Sequence, residues 1–179
     1  MPTPTISIGD LTRSIRTISD FPKPGIQFKD ITPVLSDGRL FQGLVHLLAE
    51  PYAGGRVELI AGIDARGFIL ASAVACHLGV GFIPIRKQGK LPYETHQESY
   101  SLEYGTNTIE IHQDAVRKGQ RVMLIDDLLA TGGTAAAAVK LLQRLGAEIV
   151  EVAFFVELGF LGGRRKIGNN SMRSVVCFD

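Results

Sequence analysis

The stretch from Arg121 to Thr134 limits the fold more than any other part of the chain. An apolar run ending at Ile125 leads into two adjacent carboxylates, Asp126 and Asp127, then into Ala130-Thr131-Gly132-Gly133-Thr134, which opens a segment of helical spacing to Leu145. Strand, small-residue turn, helix is the unit from which parallel α/β sheets are built. Two acids at the end of a buried strand are costly unless something binds them. The glycines let the backbone come close to a phosphate, whose charge is stabilised by free N–H groups and the helix dipole. Thr131 and Thr134 add hydroxyl donors. No Gly-Lys-Ser/Thr follows, so this is no Walker loop, and Gly-x-Gly-x-x-Gly is missing, so it is no dinucleotide fingerprint. Carboxylates directly before the cradle suit the vicinal hydroxyls of a ribose, with Mg²⁺ bridging on the other side.

The rest of the chain supplies the alternation such a sheet needs. Leu40, Phe41, Leu44, Leu47 and Leu48 recur at helical spacing behind Ser36 or Asp37 as cap. Val57–Ile63 reads as a buried strand, Phe68–Leu78 as a helix closed by Gly79, and Phe82–Ile85 as the next strand. Ile149–Val156 is a further central strand, and Ser174–Phe178 a last one after a polar, Gly-rich surface loop at Gly162–Asn170. Arg86–Ser99 breaks the pattern as a long polar loop. It leads into two alternating runs, Tyr100–Tyr104 and Thr108–His112, around a Gly/Asn turn, which predicts a β-hairpin. A polar loop of that length is more often functional than idle.

At 179 residues with 45% apolar and 21% charged side chains, the chain has the size and composition of one α/β domain, residues 1–179. A net charge of +1 provides no global field for nucleic acid or an anionic membrane, so any polyanion must be held locally. Residues 1–10 carry no secretory pattern, and no apolar run reaches the ~20 residues of a membrane helix. Cys76 and Cys177 match no metal spacing and lie in apolar runs, so buried free thiols and a reducing cytoplasm are expected. His46, His77, His96 and His112 are not at ligand spacing and read as surface or structural residues.

Asp126 to Thr134 resembles the phosphoribosyl-pyrophosphate (PRPP) motif of the type I phosphoribosyltransferases, and its Leu-Leu-Ala-Thr variant resembles their adenine-specific branch. Similarity extends to about Leu158. It implies that fold, a central parallel sheet flanked by helices with a small N-terminal hood (about 1–35) and a flexible catalytic loop (about 86–105). It implies that Asp126 and Asp127 contact the ribose, while Ala130, Thr131, Gly132, Gly133 and Thr134 hold the 5′-phosphate. Asp64-Ala65-Arg66, with a non-proline cis peptide, and the basic group Arg86, Lys87 and Lys90 would bind pyrophosphate, with Arg66 as a bidentate donor. Phe21–Ile31 resembles the branch's hood, where backbone groups at Gln27 read the adenine edge and Phe28 stacks on the ring. Lys29, the third adenine-binding residue the resemblance implies, stands where Arg is common. Glu103 is the expected proton-transfer residue, although its residue type alone also fits an exposed strand glutamate; Tyr104 either closes the site or packs.

The implied reaction is Mg²⁺-dependent transfer of phosphoribose from PRPP to adenine, giving AMP and pyrophosphate, by a cytoplasmic homodimer. The metal would be held mainly through PRPP, with Asp126 or Asp127 as a possible protein ligand. Two alternatives stay open: a transferase for 6-oxopurines, and a non-catalytic PRPP-sensing regulator. The hood and the Leu-Leu-Ala-Thr variant weigh against the first, and the lack of a basic helix-turn-helix before residue 20 weighs against the second.

Overall fold

The structure, a computed structural model, describes residues 6–101 and 105–179. Leu102, Glu103 and Tyr104 lie outside the described residues.

In chain order the elements are α1 (Ile8–Ser14), β1 (Arg16–Ser19), β2 (Gln27–Asp30), α2 (Thr32–Ser36), α3 (Gly38–Ala49), β3 (Leu59–Ile63), α4 (Arg66–Leu78), β4 (Gly81–Lys87), β5 (Thr95–Ser101), β6 (Thr106–His112), β7 (Arg121–Leu129), α5 (Gly133–Arg144), β8 (Glu148–Leu158) and β9 (Met172–Phe178). Seven strands form one sheet in the order β5-β6-β4-β3-β7-β8-β9. From β4 to β9 neighbouring strands are parallel, while β6 joins β4 and β5 antiparallel. The expected α/β architecture is therefore present, with β1 and β2 forming a separate antiparallel pair.

The central strands of the sheet are buried on both faces. On β7, Met123 and Ile125 enter the core shared with α1, α3 and α4, while Val122 and Leu124 enter the core under α5. On β8, Phe155 and Phe154 divide the same way. Strands covered on both sides read as continuous apolar runs, which is why these two were visible as such. Asp37 caps α3, its carboxylate accepting from the N–H groups of Arg39 and Leu40 at 2.9 and 3.0 Å. Gly79 closes α4 at φ +69°, a left-handed conformation that costs glycine little.

Three expectations need correction. The polar segment Arg86–Ser99 is half strand: β4 continues through Lys87 and β5 begins at Thr95, leaving 88–94 as the connection. β5 is an edge strand, so its polar side chains can face water while its backbone pairs with β6 from Thr95↔His112 to Ser101↔Thr106. Cys76 and Cys177 are free but exposed, not buried. Cys76 sits on the outer face of α4, and Cys177 follows the buried Val176 on edge strand β9, where alternation turns it outward. The Gly-rich tail is not merely a surface loop: it contains a 3-10 turn, Gly163–Ile167, with Gly163 and Ile167 buried.

Candidate functional site

The carboxyl ends of β3, β4 and β7 converge on a cavity of about 630 Å³. It is lined by Asp64, Ala65, Arg66, Arg86, Lys87, Lys90, Asp126, Asp127 and Thr134, all of them expected from sequence. Tyr100 also lines it and was not anticipated.

Its floor is the end of β7. Asp127 is only 7% exposed, and the Arg66 Nε donates to its Oδ2. The Asp127 N–H donates to Asp126 Oδ1 at 2.9 Å. Burial and the adjacent Asp127 carboxylate push the Asp126 carboxyl well above the usual aspartate range. Gly67, in the first turn of α4, makes this closeness possible, since a Cβ there would lie 2.5 Å from Asp126 Oδ1. Two acids thus share one buried corner and one cation, an arrangement suited to hydroxyl groups of a ligand.

Past the acids, Leu128 to Ala135 wrap a recess of about 80 Å³. Gly132 takes φ +76° and precedes α5, whose N-terminus carries no side-chain cap. Its N–H groups and dipole therefore face the recess, the geometry that binds a phosphate. Tyr100 of β5 packs on the first residue of α5: a Cβ on Gly133 would meet the ring at 3.1 Å. Its only sequence signal was membership of an alternating run.

The opposite wall is cationic. The Asp64–Ala65 peptide is cis, as expected, and α4 starts immediately after it. Arg86 Nε donates to Asp64 Oδ2 at 3.1 Å, and its Nη1 donates to the Lys90 carbonyl at 3.0 Å. Arg86, Lys87 and Lys90 thus line the same cavity as the two acids, with Arg66 paired to Asp127, a set of cations suited to a polyanionic group.

The β1–β2 pair reaches this wall from the side. The Phe28 ring lies 5.7 Å from the Arg66 guanidinium and makes an edge-to-face contact with Phe21 at 5.2 Å. Gln27 is exposed and stands opposite Ser19 in the β1–β2 ladder, its side chain accepting from the Ser19 hydroxyl at 3.1 Å. Lys29 is engaged elsewhere: its Nζ donates to Thr17 Oγ1 at 2.9 Å and sits over the Phe178 ring at 4.2 Å. Asp30 closes the pair. The Thr32 hydroxyl and N–H, with Arg16, hold its carboxyl down at about 2.

Sequence reasoning missed the support behind the phosphate recess. A Cβ on Gly163 would come within 2.1 Å of the Ala130 carbonyl oxygen, and one on Gly132 within 2.4 Å of the Gly163 carbonyl oxygen. The two backbones touch without side chains between them. Arg164 anchors the turn through Glu157, donating from Nε at 3.1 Å and from Nη2 at 2.6 Å. The hydroxyl of Ser174 donates to the same carboxylate at 2.6 Å. The Arg164 bond, with Ser174 beside it, holds the Glu157 carboxyl below its usual range against the opposing pull of burial. The visible signal was the Gly162-Gly163-Arg164 run; what it packs on was not visible.

Glu103 and Tyr104 fall outside the described residues. Among the described residues, no group of three or more His, Cys, Asp or Glu is placed to hold a metal ion. No helix among them is long and apolar enough to cross a membrane.

Residues 35–177 match the family model described as a phosphoribosyl transferase domain. A protein of Bordetella avium named adenine phosphoribosyltransferase is 59% identical over 155 residues, covering 87% of this chain and 85% of its own length. The crystal structure of adenine phosphoribosyltransferase from Thermoanaerobacter pseudethanolicus superposes with a TM-score of 0.92 at 49% identity, over 96% of this chain and all of that one. The corresponding Saccharomyces cerevisiae structure, complexed with an imino-altritol bisphosphate and adenine, gives 0.89 at 38% identity, over 94% of this chain and 97% of that one.

Proposed function

Because the chain belongs to the phosphoribosyltransferase family, we propose that it moves the 5-phosphoribosyl group of PRPP onto adenine, releasing AMP and pyrophosphate. One observation carries this reading: the half-buried Asp126 and buried Asp127, an uncapped helix N-terminus behind Thr-Gly-Gly-Thr, and four cationic side chains border two adjoining cavities that share Asp126, Leu128 and Thr134. Those three features match the hydroxyls, the 5′-phosphate and the pyrophosphate of a single PRPP molecule. The relatives named for adenine supply the acceptor.

In the reaction, an imidazole nitrogen of adenine bonds to the ribose C1′ while the C1′–O bond to pyrophosphate breaks. The electron pair leaves with pyrophosphate. Positive charge grows on the ribose ring and negative charge on the leaving oxygen, so electrostatic positioning does most of the work. We assign Asp126 and Asp127 to the ribose hydroxyls, and residues 130–134 to the 5′-phosphate. Arg66, Arg86, Lys87 and Lys90, with the Asp64–Ala65 backbone, take the pyrophosphate. Glu103 takes the proton that the purine loses, and Tyr104 closes the site. Gln27 backbone groups read adenine's N1 and 6-amino edge, Phe28 stacks on the ring, and Lys29 keeps the hood strand against β9.

Mg²⁺ fits this donor set as a substrate-borne ion. The site offers hard carboxylate oxygens at Asp126 and Asp127 beside the polyanion's place, and Mg²⁺ is usually carried by one or two carboxylates plus phosphates. Bound there, it would neutralise charge on the departing pyrophosphate. The reading extends to a cytoplasmic homodimer acting as one domain over 1–179. Free thiols support the compartment, and a mass of about twice 19.4 kDa in size-exclusion chromatography would support the dimer.

The deciding assay follows pyrophosphate release from PRPP and Mg²⁺ with each purine in turn. Release with adenine is expected. Release with guanine or hypoxanthine alone would overturn the acceptor assignment. Release with no base would overturn the transferase reading and favour a PRPP sensor.

A further inference from the structure

Glu110 lies on β6 and was given no role above, yet only 2% of it is exposed. A buried carboxylate is costly unless its oxygens are fully engaged. Here Oε1 accepts from the backbone N–H groups of Lys90 and Leu91, each at 2.9 Å. Oε2 accepts from the Thr95 hydroxyl at 3.4 Å and the Gln97 side-chain amide at 3.3 Å. Burial pushes its carboxyl upward, but the amides of Leu91, Gly89 and Lys90 together outweigh this and hold it below the usual glutamate range. The charge is kept, and it is spent on the backbone of one turn.

That turn carries the clamp. The Lys90 N–H donates to Glu110, and the Lys90 carbonyl accepts from Arg86 Nη1. Both polar backbone atoms of Lys90 are gripped. Arg86 is at the same time the β4 residue in register with Glu110 and the partner of Asp64. Gly89, at φ +78°, allows the chain to fold back onto this arrangement. With the backbone held, the side chains of Lys90 and Arg86 line the cavity from fixed points.

We propose that Glu110 is the positioning residue of the leaving-group subsite: it pre-sets the 89–91 turn so that Lys90 and Arg86 meet pyrophosphate without reorganising. The proposal rests on the PRPP reading of the cavity. It explains why a carboxylate is tolerated next to a site for polyanions: its charge is taken up by the Lys90 and Leu91 N–H groups. A preorganised donor set spares the cost of ordering it during the reaction.

The test is calorimetric binding of inorganic pyrophosphate and, separately, of ribose 5-phosphate to wild-type protein, Glu110→Ala and Glu110→Asp, alongside steady-state rates with PRPP and adenine. E110D keeps charge and size class but draws the carboxylate back by one methylene from the Lys90 and Leu91 amides. In both variants pyrophosphate affinity should fall at least about tenfold and the PRPP KM should rise in parallel, the cost of a misplaced binding group. Ribose 5-phosphate affinity should stay within about twofold, because Glu110 touches nothing near residues 126–134. Unchanged pyrophosphate affinity overturns the proposal, and so does an equal loss of both ligands, which marks general damage. If E110A does not fold, E110D decides on the same criteria. A wild-type protein that binds both ligands but releases no pyrophosphate from PRPP and adenine would instead refute the transferase reading, leaving the Glu110 comparison intact.

Discussion

Arg66 donates from Nε to Asp127 Oδ2, tying together residues 61 positions apart and joining the two halves of the cavity. The guanidinium assigned to the leaving group and a carboxylate assigned to the ribose are each other's partner until PRPP arrives. On that assignment PRPP would exchange with this pair, giving phosphate oxygens to Arg66 and hydroxyls to Asp127. Arg66→Ala should lower kcat by about 10²-fold, the usual cost of one lost donor to developing charge. Arg66→Lys keeps the charge but not the fork, and should fall between it and wild type. Initial rates of pyrophosphate release check both, and R66A rates close to wild type would remove Arg66 from the chemistry.

Asp126 carries a stability cost that function requires. Its carboxyl is pushed up by burial and by Asp127, so the folded chain holds that proton more tightly than the unfolded chain does. The favourable contribution is complete below the ordinary aspartate value of about 3.9 and is lost as pH rises from there through the raised folded value. Asp126→Asn should thus melt higher than wild type near neutral pH, with the gap closing below about pH 4. PRPP binding should weaken in the same variant. Thermal melts across pH test this, and a variant less stable than wild type at pH 7 would contradict it.

Glu103→Gln should reduce turnover by about 10²–10⁴-fold, the range for a lost general acid–base group, with PRPP affinity nearly intact. Turnover within threefold of wild type would assign the proton to another group.

Gly163→Ala should disturb the phosphate recess from behind. Its methyl would collide with the Ala130 carbonyl, so the turn or the loop must move. A loss of about 1–3 kcal/mol is the common cost of such overpacking, readable in urea unfolding. The PRPP KM should rise while the adenine KM changes less.

Phe28→Ala should raise the adenine KM by roughly three- to tenfold, the size of one lost aromatic contact, without changing pyrophosphate affinity. A shift confined to PRPP would move Phe28 from the base to the donor side of the site.

Much of this arrangement was legible in the sequence because local chemistry dictated it. Asp37 as a cap, Gly79 as a helix stop and the Asp126–Thr134 cradle each depend on residues next to one another. The hidden parts depend on partners from distant segments. Glu110 looks like any strand glutamate until residues 90–97 fold over it, and Gly163 looks like loop filler until it meets Ala130. Cys76 and Cys177 misled for the same reason: an apolar neighbourhood in sequence does not say which side of a helix or edge strand faces water. Arg86–Ser99 misled because an edge strand can be polar, pairing through its backbone alone.

Among the described residues, β1 and β2 share no backbone ladder with the seven-stranded sheet. With the base assigned to that pair and the sugar phosphate to the main sheet, the two substrates are read by separately hydrogen-bonded pieces of backbone. Changes confined to that ribbon would then alter the choice of nucleobase while the residues assigned to the sugar phosphate stay untouched. A lineage could trade one acceptor for another by swapping this small ribbon, and a designer could attempt the same exchange.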